Sequence, residues 1–280
     1  MNYLVIDKII LNALQEDMPY SDISTCAILD ETSRCEVQLI SKDSGVVAGL
    51  YIFKRVFELL GNIVINFYKK DGDIVQNGEL VAKISGSTSV VLSGERTALN
   101  FLQRISGIAT LTSEFVDKLE GTNTKLLDTR KTTPGLRMLE KYGVKVGGGC
   151  NHRLSLSDGI MFKDNHIAAA GGIKNAVEMV RKYGYYGKQI EIEVESIDMV
   201  KEALEAGADI IMLDNMDIET MKEAVKIIAK KAITECSGNV TLDTVEKIAL
   251  TGVDYVSVGE LTHSAKILDF SMKNLILSKI

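Results

Sequence analysis

The second half of the chain repeats one unit, a short apolar run followed by a helical stretch. From residue 190 onward the runs recur about every twenty residues, the length of one βα unit in a parallel sheet or barrel. Two segments, EAGADIIMLDN and LTGVDYVSVGE, share the order helix end, Gly, small residue, Asp and buried strand. The Gly ends each helix because it adopts the left-handed conformation without strain. The repeat predicts parallel strands joined by helices.

Polar sequence follows every predicted strand of this half. The strands are predicted at 126–127, 159–162, 190–194, 210–213, 232–234 and 255–258, and they lead into DTRKT, KDNH, EVES, DN, ECSGN and GELTH. In a (β/α) barrel, functional groups gather where the strands end. Loops are polar for general reasons as well. Polar clusters after all of the predicted strands nevertheless favour a functional site at the end of the barrel where these loops meet, which we call the mouth.

The sequence before residue 107 has a different texture. Short β-rich runs separated by DG, NG and GS turns flank a helical segment, YIFKRVFELLG, which is typical of an α+β domain. The segment SGERTALNFLQRISGIATLTSEFVDKL has apolar residues at helical spacing and predicts a long helix leading into the second half. We therefore predict two domains, residues 1–106 and 107–280.

Composition and charge exclude several classes of protein. The longest apolar runs fall far short of the roughly twenty residues that cross a membrane, and MNYLVIDKIILNALQED predicts an amphipathic helix rather than a signal peptide. A net charge of -6 argues against general nucleic-acid binding. The 4 cysteines lack metal-finger spacing and suit a reducing compartment. We expect a cytoplasmic protein that binds neither nucleic acid nor membranes.

Cations concentrate near the predicted mouth. The segment GGGCNHRLSLSDGIMFKDNH contains the adjacent pair His152–Arg153 together with Lys163, and DTRKT adds the pair Arg130–Lys131. Arg holds a carboxylate or phosphate through two hydrogen bonds, and Lys adds a point charge. Surface salt bridges are the alternative for each cation alone, but acids near in sequence do not neutralise adjacent pairs. The clusters predict a polyanionic ligand.

Acids also follow neighbouring strands, namely Glu193, Glu195 and Asp214. Glu191 alternates with Glu193 and Glu195, so these three are expected to share one face of their strand. Acids beside phosphates suggest Mg²⁺, bound directly or through water, or stabilisation of positive charge on a sugar. The alternative is a structural ion-pair network with lysines of the barrel.

The last two strands end in SGN and VGELTH, where small residues let backbone N–H groups approach a phosphate closely. Barrels commonly bind phosphate at these two loops. The chain has no Walker A pattern, and VGGGCNH lacks the G-x-G-x-x-G spacing. Nucleotide hydrolysis and Rossmann redox chemistry are therefore disfavoured.

Seven segments in order resemble the nicotinate-nucleotide pyrophosphorylases, also called quinolinate phosphoribosyltransferases. They are GERTALNFLQRISGIAT, DTRKTTPGLR, GGGCNHRLSLSDGIMFKDNHI, EIEVES, IMLDN, CSGNVTLD and VDYVSVGELTHSA. The resemblance covers nearly the whole chain and is most specific from Asp128 to His166. It implies an α/β fold with an N-terminal α/β sandwich domain joined to an incomplete, open α/β barrel. It also implies a homodimer, or a higher assembly of dimers, with shared active sites.

The resemblance further implies an activity of de novo NAD biosynthesis. Quinolinate and phosphoribosyl pyrophosphate would give nicotinate mononucleotide, pyrophosphate and carbon dioxide, with Mg²⁺ as the cofactor. Ribosylation of the ring nitrogen turns the pyridine into an electron sink, so its neighbouring carboxylate can leave without a carbon-based cofactor.

By the same resemblance, quinolinate would be bound by Arg96, Arg130, His152, Arg153 and Lys163, with Arg96 supplied across the dimer interface. Phosphoribosyl pyrophosphate would be bound by Lys131, Thr132, Glu193, Asp214, Ser237, Gly238, Asn239, Gly259 and His263. The catalytic residues would be Lys131, Lys163, Glu193 and Asp214, and the last two would hold the metal, directly or through water. A helix-start role is the alternative for His263.

Two other functions stay open at this point. A molybdenum-transport-associated relative of the same fold would act on another acceptor and would lack the Arg and His residues of the dianion site, which this chain has. A non-catalytic phosphoribosyl-binding or assembly protein would be expected to lack Glu193 and Asp214, which this chain retains.

Overall fold

The computed structural model describes residues 3–30 and 32–278. They form two compact units, which are described separately. Unit 1 contains the chain up to Ser113, Thr133–Gly148 and the chain from Ala265, and unit 2 contains Glu114–Thr132 and Gly149–Ser264. Within the described ranges, none of the helices combines the length and the apolar composition that a membrane crossing requires.

In chain order, the described residues form the following helices and strands. The helices are α1 Tyr3–Asp17, α2 Ile23–Ile28, α3 Leu50–Leu60, α4 Thr88–Lys118, α5 Arg137–Val146, α6 Asp164–Ala170, α7 Ile173–Tyr183, α8 Ile197–Ala206, α9 Ile218–Ile228, α10 Val245–Ala249 and α11 Glu260–His263. The strands are β1 Arg34–Ser41, β2 Gly45–Val46, β3 Ile63–Phe67, β4 Ile74–Val75, β5 Leu80–Ser87, β6 Lys125–Leu127, β7 Ile160–Phe162, β8 Ile190–Val194, β9 Ile210–Asp214, β10 Ile233–Ser237, β11 Tyr255–Ser257 and β12 Phe270–Leu277.

Unit 1 is built on a 4-stranded antiparallel sheet in the order β12-β1-β5-β3. Alternate residues of β1, among them Val37 and Leu39, are buried, which is the period expected of a strand with one face on a core. Helix α3 contributes Phe53 and Phe57, both fully buried. Its first backbone N–H groups, those of Gly49 and Leu50, donate to the Asp71 carboxylate at 3.0 Å. This cap stabilises the start of the helix.

Unit 1 also takes three segments from beyond the boundary predicted after residue 106, namely 107–113, 133–148 and the chain from Ala265. The C-terminal segment joins because β12 pairs with β1 from Ser41↔Phe270 to Cys35↔Leu277. Helix α5 joins because it approaches α4 closely: a Cβ at Gly143 would meet the carbonyl oxygen of Ile105 at 2.9 Å. The boundary predicted after residue 106 stays a prediction about folding domains.

Unit 2 holds a 6-stranded parallel sheet in the order β6-β11-β10-β9-β8-β7. Consecutive strands from β7 to β11 are joined by helices, as the repeat predicted, and within the described residues β6 and β7 end the order rather than pairing with each other. The open α/β barrel is therefore confirmed. Strand β10 runs to Ser237, beyond the predicted 232–234. Its third residue, Glu235, is a buried acid. A charged residue in a sequence normally marks the end of a buried strand, so the predicted strand stopped before Glu235.

Candidate active site

A cavity of about 390 Å³ opens where the strands of the unit 2 sheet end, and we call it the mouth cavity. Asp214 and Ser237, the last residues of β9 and β10, are paired in register at this end. The site residues predicted from the sequence that line the mouth cavity are Arg130, Lys131, His152, Arg153, Lys163, Glu193, Asp214, Ser237, Gly238 and Asn239. The structure thus brings together the cation clusters, the acids and one of the small-residue loops.

Asp128 holds the two cation loops together. It follows β6 directly and is fully buried. One carboxylate oxygen accepts the backbone N–H of His152 at 2.8 Å, and the other accepts the Asn151 side-chain amide at 2.7 Å. Asp128 belongs to the segment DTRKT but is not among the site residues predicted from the sequence. Its position directly after a buried strand is the sequence signal that could have identified Asp128 as a residue that organises these loops.

Arg153 is fixed in direction by its neighbours. Its guanidinium donates to the carbonyl oxygen of Gly159 at 3.0 Å and to the sulfur of Met161 at 3.4 Å. Burial, together with the nearby charge of Arg130, lowers the pKa of Arg153. Two guanidinium groups that repel each other on one cavity wall favour a bound anion, because an anion offsets the repulsion.

His152 faces inward, toward two buried acids. Its Nε2 lies 3.3 Å from Glu191 Oε2 and 3.5 Å from Glu235 Oε2. Burial alone lowers the pKa of His152, but the hydrogen bonds and charges of the two carboxylates outweigh burial and raise this pKa to about 9. The His152–Arg153 pair is predicted from the sequence to need an external anion, because acids near in sequence do not neutralise it. Acids from β8 and β10 are brought to His152 by the fold, so its need for an external anion was overestimated.

The other ring nitrogen of His152 constrains its proton. Nδ1 accepts the backbone N–H of Arg153 at 2.7 Å, so it carries no proton in this geometry. A single proton on Nε2 is compatible with both contacts, since Nε2–H then faces the carboxylates while Nδ1 accepts the Arg153 N–H. His152, Glu191 and Glu235 also form a cluster whose potential metal ligands lie within 4.8 Å of one another. A metal-bound His normally donates its other N–H, so this Nδ1 acceptor favours a hydrogen-bonded cluster over a metal site.

The two predicted metal ligands, Glu193 and Asp214, lie on neighbouring strands of the mouth cavity. Glu193 is ion-paired with Lys163, so the alternative of an ion pair with a barrel lysine is realised for this acid. Asp214 accepts the Asn215 side-chain amide at 2.8 Å. Glu195, in contrast, lies beyond the end of β8 and is exposed.

A second cavity of about 370 Å³ adjoins the mouth cavity and shares Lys131, Ser237, Gly238 and Asn239 with it. Its lining also includes Gly259 and His263. We call it the loop cavity, because the loops after β10 and β11 form it. A Cβ at Gly259 would meet Lys131 Cδ at 3.0 Å and His263 Nε2 at 3.1 Å. His263 ends α11 rather than starting a helix.

The remaining two predicted site residues lie elsewhere. Arg96 is exposed on α4, in the part of that helix that belongs to unit 1. Thr132 follows the Arg130–Lys131 pair, and its backbone N–H donates to the carbonyl oxygen of Arg130 at 2.9 Å. The roles of both residues stay predictions.

Comparison with known protein families gives two matches that together span most of the chain. Residues 22–106 match the model described as quinolinate phosphoribosyl transferase, N-terminal domain. Residues 108–273 match the model described as quinolinate phosphoribosyl transferase, C-terminal domain.

Individual relatives are similar over the same length. A Bacillus subtilis protein named probable nicotinate-nucleotide pyrophosphorylase [carboxylating] is 46% identical over 273 residues, which is 97% of this chain and 94% of that protein. A chloroplastic nicotinate-nucleotide pyrophosphorylase [carboxylating] of Arabidopsis thaliana is 42% identical, over 96% of this chain and 82% of its own. The crystal structure of NadC from Streptococcus pyogenes superimposes with a TM-score of 0.96 at 48% identity, covering 100% of this chain and 99% of that one.

Proposed function

The chain belongs to the quinolinate phosphoribosyltransferase family, and we propose that it converts quinolinate and phosphoribosyl pyrophosphate to nicotinate mononucleotide, pyrophosphate and carbon dioxide. This is a pentosyl transfer of de novo NAD biosynthesis. The observation that carries the proposal is the single cavity in which Arg130, Arg153 and Lys163 lie with Glu193 and Asp214. A dianion and a phosphorylated sugar need these two sets of groups side by side.

Quinolinate fits the cation side of the mouth cavity. Its two carboxylates lie on adjacent ring carbons, so they require several convergent donors. Arg130, Arg153 and Lys163 supply them in this proposal, and His152 contributes by accepting the backbone N–H of Arg153. The guanidinium groups would offset the charge of the carboxylates and orient the ring nitrogen toward the sugar. Because the substrates are both anions, holding them next to each other is the largest task of the protein.

Phosphoribosyl pyrophosphate fits the side that the two cavities share. Ser237, Gly238, Asn239, Gly259 and His263 would surround its 5-phosphate, since small residues expose backbone N–H groups there. Lys131 lines both cavities and would lie between the two substrates, with Thr132 next to it.

The acids Glu193 and Asp214 would stabilise the positive charge that develops on the ribose as pyrophosphate leaves. Their carboxylate oxygens are hard donors that fit Mg²⁺, directly or through water. A bound Mg²⁺ would supply neutralisation of the pyrophosphate leaving group. The ion pair of Glu193 with Lys163 would have to rearrange or share the carboxylate when the metal binds.

We also propose that the protein works in the cytoplasm as a homodimer or an assembly of dimers, with Arg96 of one subunit completing the quinolinate site of its partner. Support comes from the exposure of Arg96 on α4 and from the two carboxylates of quinolinate, which call for more cations than one loop provides.

The proposal is tested by incubating the purified protein with both substrates and Mg²⁺. Pyrophosphate and carbon dioxide should appear in equal amounts, together with nicotinate mononucleotide. Release of pyrophosphate only when another acceptor replaces quinolinate would assign the protein to a relative of the same fold that acts on that acceptor. A protein that binds phosphoribosyl pyrophosphate but releases neither product would be a non-catalytic binding protein.

A further inference from the structure

Two glutamates occupy a place in the barrel where apolar side chains are expected. Glu191 on β8 and Glu235 on β10 are 4% and 2% exposed. The interior of a (β/α) barrel is normally filled by bulky apolar residues, and burying a carboxylate is costly unless it is well paired. Acids at these positions therefore require an explanation beyond packing.

The pairing of Glu235 is incomplete. Its Oε2 lies 3.5 Å from the Nε2 of His152. Its Oε1 is buried and has no hydrogen-bond partner among the described residues. A carboxylate with one long contact and one unpartnered oxygen contributes little to the stability of the fold. The contact of Glu235 with His152 therefore points to a role in the site rather than in folding.

The His152 ring has open space on two sides. His152 and Glu235 line the mouth cavity and also a cavity of about 460 Å³. The lining of that cavity includes Ile210, Ile233 and Tyr255, the first residues of β9, β10 and β11, so it lies at the opposite end of the strands. The contacts of its two ring nitrogens therefore contribute to fixing the ring between the two cavities.

The ring in turn fixes the backbone beside it. Nε2–H points to the two carboxylates, which leaves Nδ1 as the acceptor for the Arg153 N–H at 2.7 Å. A ring turned away from Glu191 and Glu235 would lose this contact, and the start of the Arg153 side chain would shift with it.

We infer that Glu235 is a positioning residue of the quinolinate site: with Glu191 it holds the His152 ring by Nε2–H, and the ring holds Arg153 in place for a substrate carboxylate. This inference rests on the proposed function. It concerns how the site is supported, whereas the proposed function concerns what the site binds.

The test uses the full chain with Glu235→Leu, which removes the acceptor and keeps an apolar filling, and Glu235→Gln, which keeps an acceptor of the same shape. Glu235→Met serves as a second apolar variant in case the first does not fold. Cys236→Ala is the matched control, because Cys236 is buried next to Glu235 on β10 and points to the other side of the sheet. Quinolinate affinity is measured by calorimetry, the KM for phosphoribosyl pyrophosphate by turnover, and stability by thermal unfolding.

We expect the apolar variants to weaken quinolinate binding by about tenfold or more, because a displacement of roughly 1 Å at a binding group has effects of that size or larger. Their KM for phosphoribosyl pyrophosphate should change less than about twofold, and their Tm should equal or exceed that of the wild type, because an incompletely paired buried acid has been removed. Glu235→Gln should recover most of the affinity, and Cys236→Ala should bind quinolinate like the wild type.

Unchanged quinolinate affinity in both apolar variants would overturn the inference. A lowered Tm with equal losses for both substrates would also overturn it, because that pattern belongs to a purely structural residue. A wild-type protein that does not bind quinolinate would refute the proposed function instead, and the two failures are thereby distinguished.

Discussion

Arg130 and Arg153 both line the mouth cavity, where burial and the nearby charge of Arg130 lower the pKa of Arg153. We predict that Arg130→Ala and Arg153→Ala each raise the KM for quinolinate more than about tenfold, since a lost charge-assisted hydrogen bond costs about 1.5–3 kcal/mol. Steady-state kinetics with quinolinate as the varied substrate measures this. Arg55→Ala is the control, because Arg55 pairs with Asp7 within unit 1. A mutant whose quinolinate KM stays at the wild-type value would remove that Arg from the site.

A substitution at Gly238 adds one carbon atom beside the loop cavity and so tests whether this cavity binds phosphoribosyl pyrophosphate. Its φ is +95°, and a Cβ there would meet Asn215 Oδ1 at 2.2 Å. Gly238→Ala should therefore displace the loop and raise the KM for phosphoribosyl pyrophosphate about tenfold or more. Gly252→Ala is matched in backbone strain, since its φ is +89°, but its Cβ would meet only Val225 at 3.7 Å. Both variants should lose roughly 1–2 kcal/mol of stability from the backbone strain, Gly238→Ala should lose more because of the clash with Asn215, and only Gly238→Ala should lose affinity. Equal KM values for the two variants would show that the loop does not touch this substrate.

At the scale of elements, apolar periodicity predicted the longer helices, among them α1, α3 and α4, and short apolar runs predicted the barrel strands, because burial on one face or on both leaves a regular pattern. It did not predict that β12 pairs with β1, since a pairing between the two ends of the chain depends on tertiary structure. Of the site, the residues after the strands could be found, because strand ends meet at one edge of the sheet. The support of His152 by Glu191 and Glu235 could not, because three separate segments meet only when the barrel forms.

The β10–β11 connection offers a prediction about pH. Asp254 accepts the backbone N–H of Thr234 at 2.9 Å, its hydroxyl at 2.7 Å and the Lys230 ammonium at 2.7 Å. Burial alone raises the pKa of Asp254, but these hydrogen bonds outweigh burial and hold the pKa below its ordinary value. A depressed carboxyl pKa stabilises the fold above the unfolded-state pKa of about 3.9, and this stabilisation is lost as the pH falls through the folded-state pKa.

Asp254→Asn should therefore lower the free energy of unfolding by about 1 kcal/mol near pH 7, and the difference from wild type should shrink below about pH 4. Urea denaturation at several pH values measures both quantities. Asp198→Asn is the control, because the Asp198 side chain is 94% exposed and forms a surface ion pair with Lys201 at 3.4 Å. A difference that is the same at every pH would mean that the charge of Asp254 is not what stabilises this connection.

At the scale of the whole molecule, the shared active site can be tested by mixing two inactive chains. If Arg96 completes the site of the partner, a chain with Arg96→Ala and a chain with Lys131→Ala should form a heterodimer in which one site carries no mutation. Activity should then exceed that of either mutant alone. If Arg96 serves its own chain, each site of the mixed dimer still carries one lesion and mixing restores nothing.

The central claim is that the mouth cavity is built for a dicarboxylate. Turnover with quinolinate, compared with nicotinate under the same conditions, tests this claim most directly, because nicotinate lacks one of the two carboxylates. We predict that kcat/KM for nicotinate is at least about a hundredfold lower, since a buried polar site discriminates strongly against a substrate that leaves its donors unpaired. Comparable kcat/KM values for the two acids would contradict the account.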